Sequence, residues 1–181
     1  MRSTMLMPAS QMPPAAALDP LALRRALGHF ATGICVVTTL DASGRPQGLT
    51  INSFASVSLA PPLVLWCLDR ASQSAAAFRG AARFNIGVLH AGQEAVSRRF
   101  SSRLPDRFDG SEDWIGRDAH GLPVVRGALA LFACRCTQQV EAGDHLIMIG
   151  EVEGFEAADA ASARPLLYHG GRYRGLAAPP A

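Results

Sequence analysis

The sequence predicts a mainly β domain, an antiparallel barrel with a few short helices. Two pairs of strand-like runs are each joined by turn formers. "ICVVTTL" and "LTINSFASVSL" flank "DASGRPQG", and "ALALFACRCTQQVEA" and "HLIMIGEVEGFEA" flank Gly143 and Asp144. The helical patterns between strands are short, and no GxGxxG opens a helix after a strand. Strands paired through hairpins favour an antiparallel barrel over a doubly wound parallel sheet.

The elements follow in order. The first 19 residues, with Pro8, Pro13 and Pro14 breaking an Ala- and Met-rich stretch, read as a disordered tail without the continuous apolar core of a signal peptide. Asp19 and Pro20 form an N-cap and first-turn pair, and Leu23, Ala26, Leu27 and Phe30 recur at helical spacing, predicting a helix over residues 20–31 that ends near Gly33. The first hairpin follows, its second strand closed by Pro61 and Pro62. "LVLWCL" (residues 63–68) reads as a strand buried on both faces, and "RASQSAAAFRGAARF" turns helical with Ser72 as N-cap. "FNIGVL" is a short strand and "AGQEAVSRRF" a surface helix. Residues 101–123 read as a long polar connection. After the second hairpin, "RPLLYHGGRYRGL" holds another extended piece, and residues 177–181 a short tail. One folded domain over residues 20–176 is expected.

Composition excludes several functions. The chain has 181 residues, 49% of them hydrophobic, and a net charge of +2 with no basic run. That is enough apolar material for one core, and nucleic acid is disfavoured as a partner. Charges, Gly and Pro interrupt every apolar run before it reaches bilayer length, so no membrane association and a cytoplasmic location are expected. Cys35, Cys67, Cys134 and Cys136 sit in apolar surroundings without Cys-x-x-Cys or suitably spaced His, so they read as small buried hydrophobes and no metal site is expected.

"GLTINSFASVSL" is the unusual stretch. In one continuous strand, Ile51, Ser53, Ala55, Val57 and Leu59 would point to the core while Thr50, Asn52, Phe54, Ser56 and Ser58 share the other face. That second face is polar without charge, whereas a strand facing water usually carries Lys, Glu or Arg. A neutral heterocycle with ring donors and acceptors would satisfy it. A half-exposed Thr/Ser-rich strand with local hydrogen bonds fits the spacing equally well.

Together "FATGICVVTT", "GLTINSFASVSLAPPLVLWCLDRASQS", "FNIGVL", "GDHLIMIGEV" and "PLLYHGGRYRGL" resemble the short-chain flavin reductase family, over most of Leu21 to Leu176. The resemblance implies an FMN-binding split β-barrel, Greek-key-like, that forms a homodimer. Its implied activity is NADH- or NADPH-dependent reduction of FMN or FAD, with reduced flavin passing to a partner monooxygenase. It also implies that Thr50, Asn52, Ser53, Phe54, Ser56, Val57 and Ser58 surround the flavin, that Ser72 and Ser74 hold its phosphate with Arg70 adding charge, and that Asn85, Phe100 and Tyr173 approach it. His145 of "GDH" falls where the family places a histidine near the nicotinamide. For Ser72 an N-cap, for Phe100 and Tyr173 core or interface packing, and for His145 an exposed turn paired with Asp144 remain open beside those roles. A flavin carrier or redox-sensing dimer, or a same-fold reductase acting on a cobalt corrinoid, are the competing functions.

Overall fold

The computed structural model describes residues 18–159 and 164–176; the expected tail at residues 177–181, and all but the last two residues of the tail expected at 1–19, lie outside the described residues. Helix α1 (Pro20–Leu27) begins as the sequence predicts, with Asp19 carboxylate oxygens accepting from the backbone N–H of Leu21 at 3.0 Å and Ala22 at 3.3 Å. It stops four residues earlier than the apolar spacing suggests. The carbonyl of Gly28 accepts instead from Gly170 N–H at 2.8 Å, and the chain turns into β1 (Thr32–Gly33).

The main sheet holds seven strands. β2 (Cys35–Leu40) and β3 (Pro46–Ile51) form the expected hairpin, followed by β4 (Ala55–Leu59) and β5 (Pro62–Asp69). Helix α2 (Ala75–Gly80) leads to β6 (Arg83–Val88), and helix α3 (Glu94–Phe100) follows a single 3₁₀ turn. β7 (Ile115–Arg117) lies within the expected connection and pairs with β8 (Pro123–Val125), which starts at its last residue, as a small separate hairpin. β9 (Ala130–Ala142) and β10 (His145–Ala157) are the long second hairpin, its turn placing Gly143 at φ +63°. A left-handed position there suits glycine. β11 (Leu167–His169) and β12 (Arg172–Arg174) pair with β1 in a three-stranded sheet.

The strand order β3-β2-β6-β9-β10-β5-β4, antiparallel at every pairing, makes β3 and β4 the two edges. Seven strands at ~4.8 Å spacing would be ~29 Å wide if flat. Only residues 52–54 join one edge to the other, and four Cα steps of 3.8 Å reach about 15 Å at most. The sheet therefore curls until its edges approach, and the 48–59 segment crosses that seam. It is two strands with a break, not the one continuous strand that its alternation predicts.

Two cores result. Inside the curl lie Trp66, Phe78, Phe84, Val37, Ile86 and Met148, with Trp66 edge-on to Phe78 at 5.0 Å and to Phe84 at 5.7 Å. Such aromatic pairs contribute about 0.5–1.5 kcal/mol beyond their buried area. Outside, Ile34, Val36, Leu89, Val96, Phe100 and Val125 pack under α3 and β8. β2 thus feeds both cores. β5 differs from its expectation of burial on both faces: Val64, Trp66 and Leu68 are buried, but Leu63, Leu65 and Cys67 on its outer face are only half-buried. All four cysteines are free thiols, and burial pushes Cys35 and Cys134 up to about 12.

Candidate functional site

The break at residues 52–54 is held by one hydroxyl. Ser53 Oγ accepts from Cys67 N–H at 2.9 Å and lies 3.5 Å from the Cys67 carbonyl, pinning the seam to β5 beyond the point where β4 pairs with it. Ser53 is therefore occupied by the backbone. Phe54 packs against the inner core, its ring stacked on Phe132 at 5.6 Å. Asn52 is exposed and forms no hydrogen bond within the described residues. Ser56 and Val57 are exposed on β4, and Ser58 Oγ accepts from Ala60 N–H at 3.2 Å.

On the β3 side of the seam, a cleft of about 210 Å³ is lined by Ile34, Thr50, Asn52, Ser97, Ser101, Tyr168 and Tyr173, among others. Thr50 Oγ1 donates to the Ser97 carbonyl at 2.7 Å, and Ser97 Oγ lies 2.9 Å from the Tyr173 hydroxyl. Tyr173 is further fixed by Tyr168, edge-on at 5.7 Å, and by the Arg98 guanidinium 4.8 Å above its ring. Glu94 holds Arg98 at 2.6 Å, and that hydrogen bond raises the guanidinium pKa. The cleft's polar lining is neutral.

Further along β3 lies a second cleft of about 450 Å³, lined by Gln47, Gly48, Gln73, Ser74, Asp106 and Arg107 with their neighbours. A Cβ on Gly48 would stand 3.0 Å from the Phe100 ring and 3.2 Å from Phe108, so only glycine lets β3 lie this close to α3 and the following loop. Ser74, the residue before α2, is 2% exposed, and its Oγ meets Gln47 Oε1 at 3.3 Å and Arg107 Nη1 at 3.2 Å. It replaces Ser72 as the helix-entry residue, and Ser72 Oγ accepts from Ser74 N–H at 3.3 Å. Arg70 points elsewhere, 3.9 Å from Glu141.

On the other side of the seam, His145 opens β10 opposite Asp69, and its Nδ1 lies 2.7 Å from Asp144 Oδ1. That bond holds the Asp144 carboxyl below its ordinary value. A carboxylate only accepts, so Nδ1 carries the hydrogen of this bond. Pairing puts His145 and Asp69, Ile147 and Cys67, and Ile149 and Leu65 on one face of the sheet, whereas Ser53 is pinned to the backbone edge of β5. The structure thus gathers two sets along β3, Thr50, Asn52 and Tyr173 in one cleft and Ser74 with Gly48 in the other, while Ser53 sits against the Cys67 backbone and His145 stands at the start of β10.

Asn85 and Phe100 do not join them. Asn85 Nδ2 donates to Asp118 Oδ2 at 2.8 Å and to the Pro123 carbonyl at 3.2 Å, and the residue is 2% exposed. It anchors the loop before β8. Phe100 is fully buried, edge-on to Phe108 at 5.0 Å. Sequence reasoning passed over Ser97, Gln47 and Arg107; the last sits in the stretch read as connection, where its only signal is a following Phe that anchors it. A cleft of about 430 Å³ beside β7 and β8 contains none of the sequence-predicted residues. Among the described residues no cluster of three or more His, Cys, Asp or Glu is arranged to hold a metal.

Comparison with known proteins defines the class. Residues 27–177 match the model of the flavin reductase like domain, and the chain belongs to that family. It is 40% identical over 161 residues to the reductase subunit HsaB of a flavin-dependent monooxygenase from Mycobacterium tuberculosis, covering 89% of this chain and 84% of that one. It is 40% identical over 172 residues to an NADH-dependent FAD reductase of Streptomyces globisporus, covering 91% and 92%. A Streptomyces globisporus NADH:FAD oxidoreductase, solved with NAD and FAD fragments, superposes with a TM-score of 0.81 at 37% identity, covering 88% of this chain and 93% of that one. A Rhizobium meliloti protein named a probable flavin reductase is 49% identical over 139 residues, but the chain spans only 44% of its length.

Proposed function

We propose that the protein is an NAD(P)H:flavin oxidoreductase that reduces FMN or FAD and releases it to a separate flavin-dependent monooxygenase. Supporting this is the seam itself: a neutral set of hydroxyls and amides from Thr50 to Ser58, with the Asn52 amide unpartnered, in a chain of the flavin reductase family. A flavin ring, polar along its pyrimidine edge and apolar at its dimethylbenzene end, matches such a lining. Nicotinamide and flavin supply the hydride chemistry between them. The chain's residues bind and orient: Asn52 and Ser56 offer donors and acceptors, Phe54 backs the seam, and the Ser72–Ser74 turn receives the phosphate end. His145 Nε2 stands ready to accept from a carboxamide or to carry a proton.

The curled sheet is the split β-barrel of this proposal. A homodimer covers what one chain leaves open: α1 buries none of its residues, Leu27 and Phe30 are 66% and 78% exposed, and Leu59 on β4 is 93% exposed. A supply of nicotinamide nucleotide puts the activity in the cytoplasm. No described helix is long and apolar enough to cross a membrane.

Anaerobic stopped-flow tests the proposal: purified protein with excess FMN or FAD is mixed with NADH or NADPH and flavin bleaching is followed. Multiple turnovers with one pair are expected. Tight flavin binding without bleaching would overturn it in favour of a carrier. Light scattering checks the dimer.

A further inference from the structure

We propose that the cleft beside β7 and β8 binds a small organic monocarboxylate, its charge on Arg117 and Arg126 and its apolar body on Phe108, Ile115 and Pro123. The inference goes beyond the flavin reading, because no residue assigned to flavin or nicotinamide lines this cleft. Its volume of about 430 Å³ falls within the range of about 300–1,000 Å³ usual for small-molecule pockets.

The apolar side comes from three segments. Ile115 and Arg117 share one face of β7 by strand alternation, and Arg117 pairs with Pro123 across the hairpin. Phe108 is held edge-on to Phe100 at 5.0 Å, and its carbonyl accepts from Ser111 Oγ at 2.7 Å. Together Phe108 and Pro46 form the wall between this cleft and the one along β3.

The two arginines are fixed by backbone groups that leave their charge uncompensated. Arg126 N–H donates to the Trp114 carbonyl at 2.8 Å, its carbonyl accepts from Gln93 Nε2 at 2.8 Å, and its Nε donates to the Ile115 carbonyl at 2.9 Å. A Cβ on Gly116 would stand 3.5 Å from the Arg126 guanidinium carbon, so this side chain lies against the β7 backbone. Arg117 Nη1 donates to the Gly121 carbonyl at 2.6 Å. A guanidinium carries five N–H donors. Each of these two spends one within the fold, and both Nη groups of Arg126 stay open. No carboxylate among the described residues lies within ion-pair distance of either arginine.

Glu112 also lines the cleft, its Oε1 accepting from Gly110 N–H at 3.1 Å. Two cations and one anion leave a single positive charge in excess, which matches a monoanion and opposes a ligand with several phosphate charges. A planar carboxylate fits the arginine fork. Exposed ion pairs contribute little by themselves, so burial of the apolar body supplies most of the affinity and the arginines select the charge.

The experiment is a ¹H–¹⁵N NMR titration with benzoate, with benzamide as its neutral counterpart and acetate as the acid without a ring. Benzoate should shift the amides of Ile115, Gly116 and Gly121, with benzamide and acetate each about 10-fold weaker or more. Arg126→Gln should raise the benzoate Kd about 10-fold and leave the benzamide Kd within about two-fold. Saturating FMN should leave the benzoate shifts in place. Equal affinity for benzoate and benzamide, or no shift at the hairpin, overturns the proposal. So does displacement of benzoate by FMN, which would put the carboxylate in the flavin cleft. Should Arg126→Gln not fold, the comparison of benzoate with benzamide on the wild type decides. A protein that takes benzoate at the hairpin but binds no flavin keeps this proposal and overturns only the flavin reading.

Discussion

Ser53→Ala separates a clamp from a ligand. The substitution removes the hydroxyl that accepts from Cys67 N–H at 2.9 Å; the 3.5 Å contact to the Cys67 carbonyl is too long to add much. β4 pairs with β5 only as far as Ala55 and Leu65, so no neighbouring strand replaces the lost acceptor. Leaving a half-buried N–H unpaired costs about 1–3 kcal/mol, and water reaching the seam keeps the cost near the lower end, about 1–2 kcal/mol. For a domain of this size each kcal/mol lowers Tm by about 2–4 °C, so a fall of about 2–8 °C is expected. Thermal and urea unfolding measure it, and an FMN titration on the same protein reads the site. An unchanged Tm together with a large loss of FMN affinity would refute the clamp and return Ser53 to direct flavin contact.

Replacing His145 by Ala should slow flavin reduction by NADH about 10- to 100-fold with the flavin Kd nearly unchanged; an unaltered stopped-flow rate would remove His145 from the reaction. Asp41, held down to about 2 by the Ser43 hydroxyl and then the Arg45 N–H, lies below its ordinary 3.8, so its stabilisation of the β2–β3 turn is full above pH 3.8 and lost as pH falls through about 2. NMR titration of its carboxyl carbon checks this, with a midpoint near 3.8 counting against it. Burial of Cys35 and Cys134 predicts that iodoacetamide at pH 8 spares both in the native chain and modifies them after denaturation, read by mass spectrometry.

Local chemistry made much of the fold legible. Asp19 caps α1, the turn residues at 41–45 and 143–144 set both hairpins, and Phe84 lies in the core that its apolar run suggests. The break at residues 52–54 was not legible, because Thr, Asn and Ser recur at every second place whether or not the strand continues. Val57 and Leu59, which alternation assigns to the core, are exposed for the same reason. Long-range partners were equally hidden. Ser53 finds Cys67 and Asn85 finds Asp118 only once distant strands are in register, and no spacing rule announces that Arg107 will reach Ser74. Asn52 could be singled out within an uncharged polar run and His145 as a histidine in a Gly-Asp turn, but the roles expected of both come from the family resemblance.

The neighbouring positions of β3 and β4 in the chain, at opposite ends of the strand order, bear on assembly. Two adjacent segments that never pair with each other gain nothing from their proximity until the five strands between them are laid down. The pairings of β2 with β6, β6 with β9 and β5 with β10 close long loops, an entropic cost met before the two edges can meet. A pocket at their junction is therefore absent from every partly assembled chain. Any molecule resting there would recognise only the finished protein and stabilise it by mass action, so a ligand for this seam would double as a check on the quality of each newly made copy.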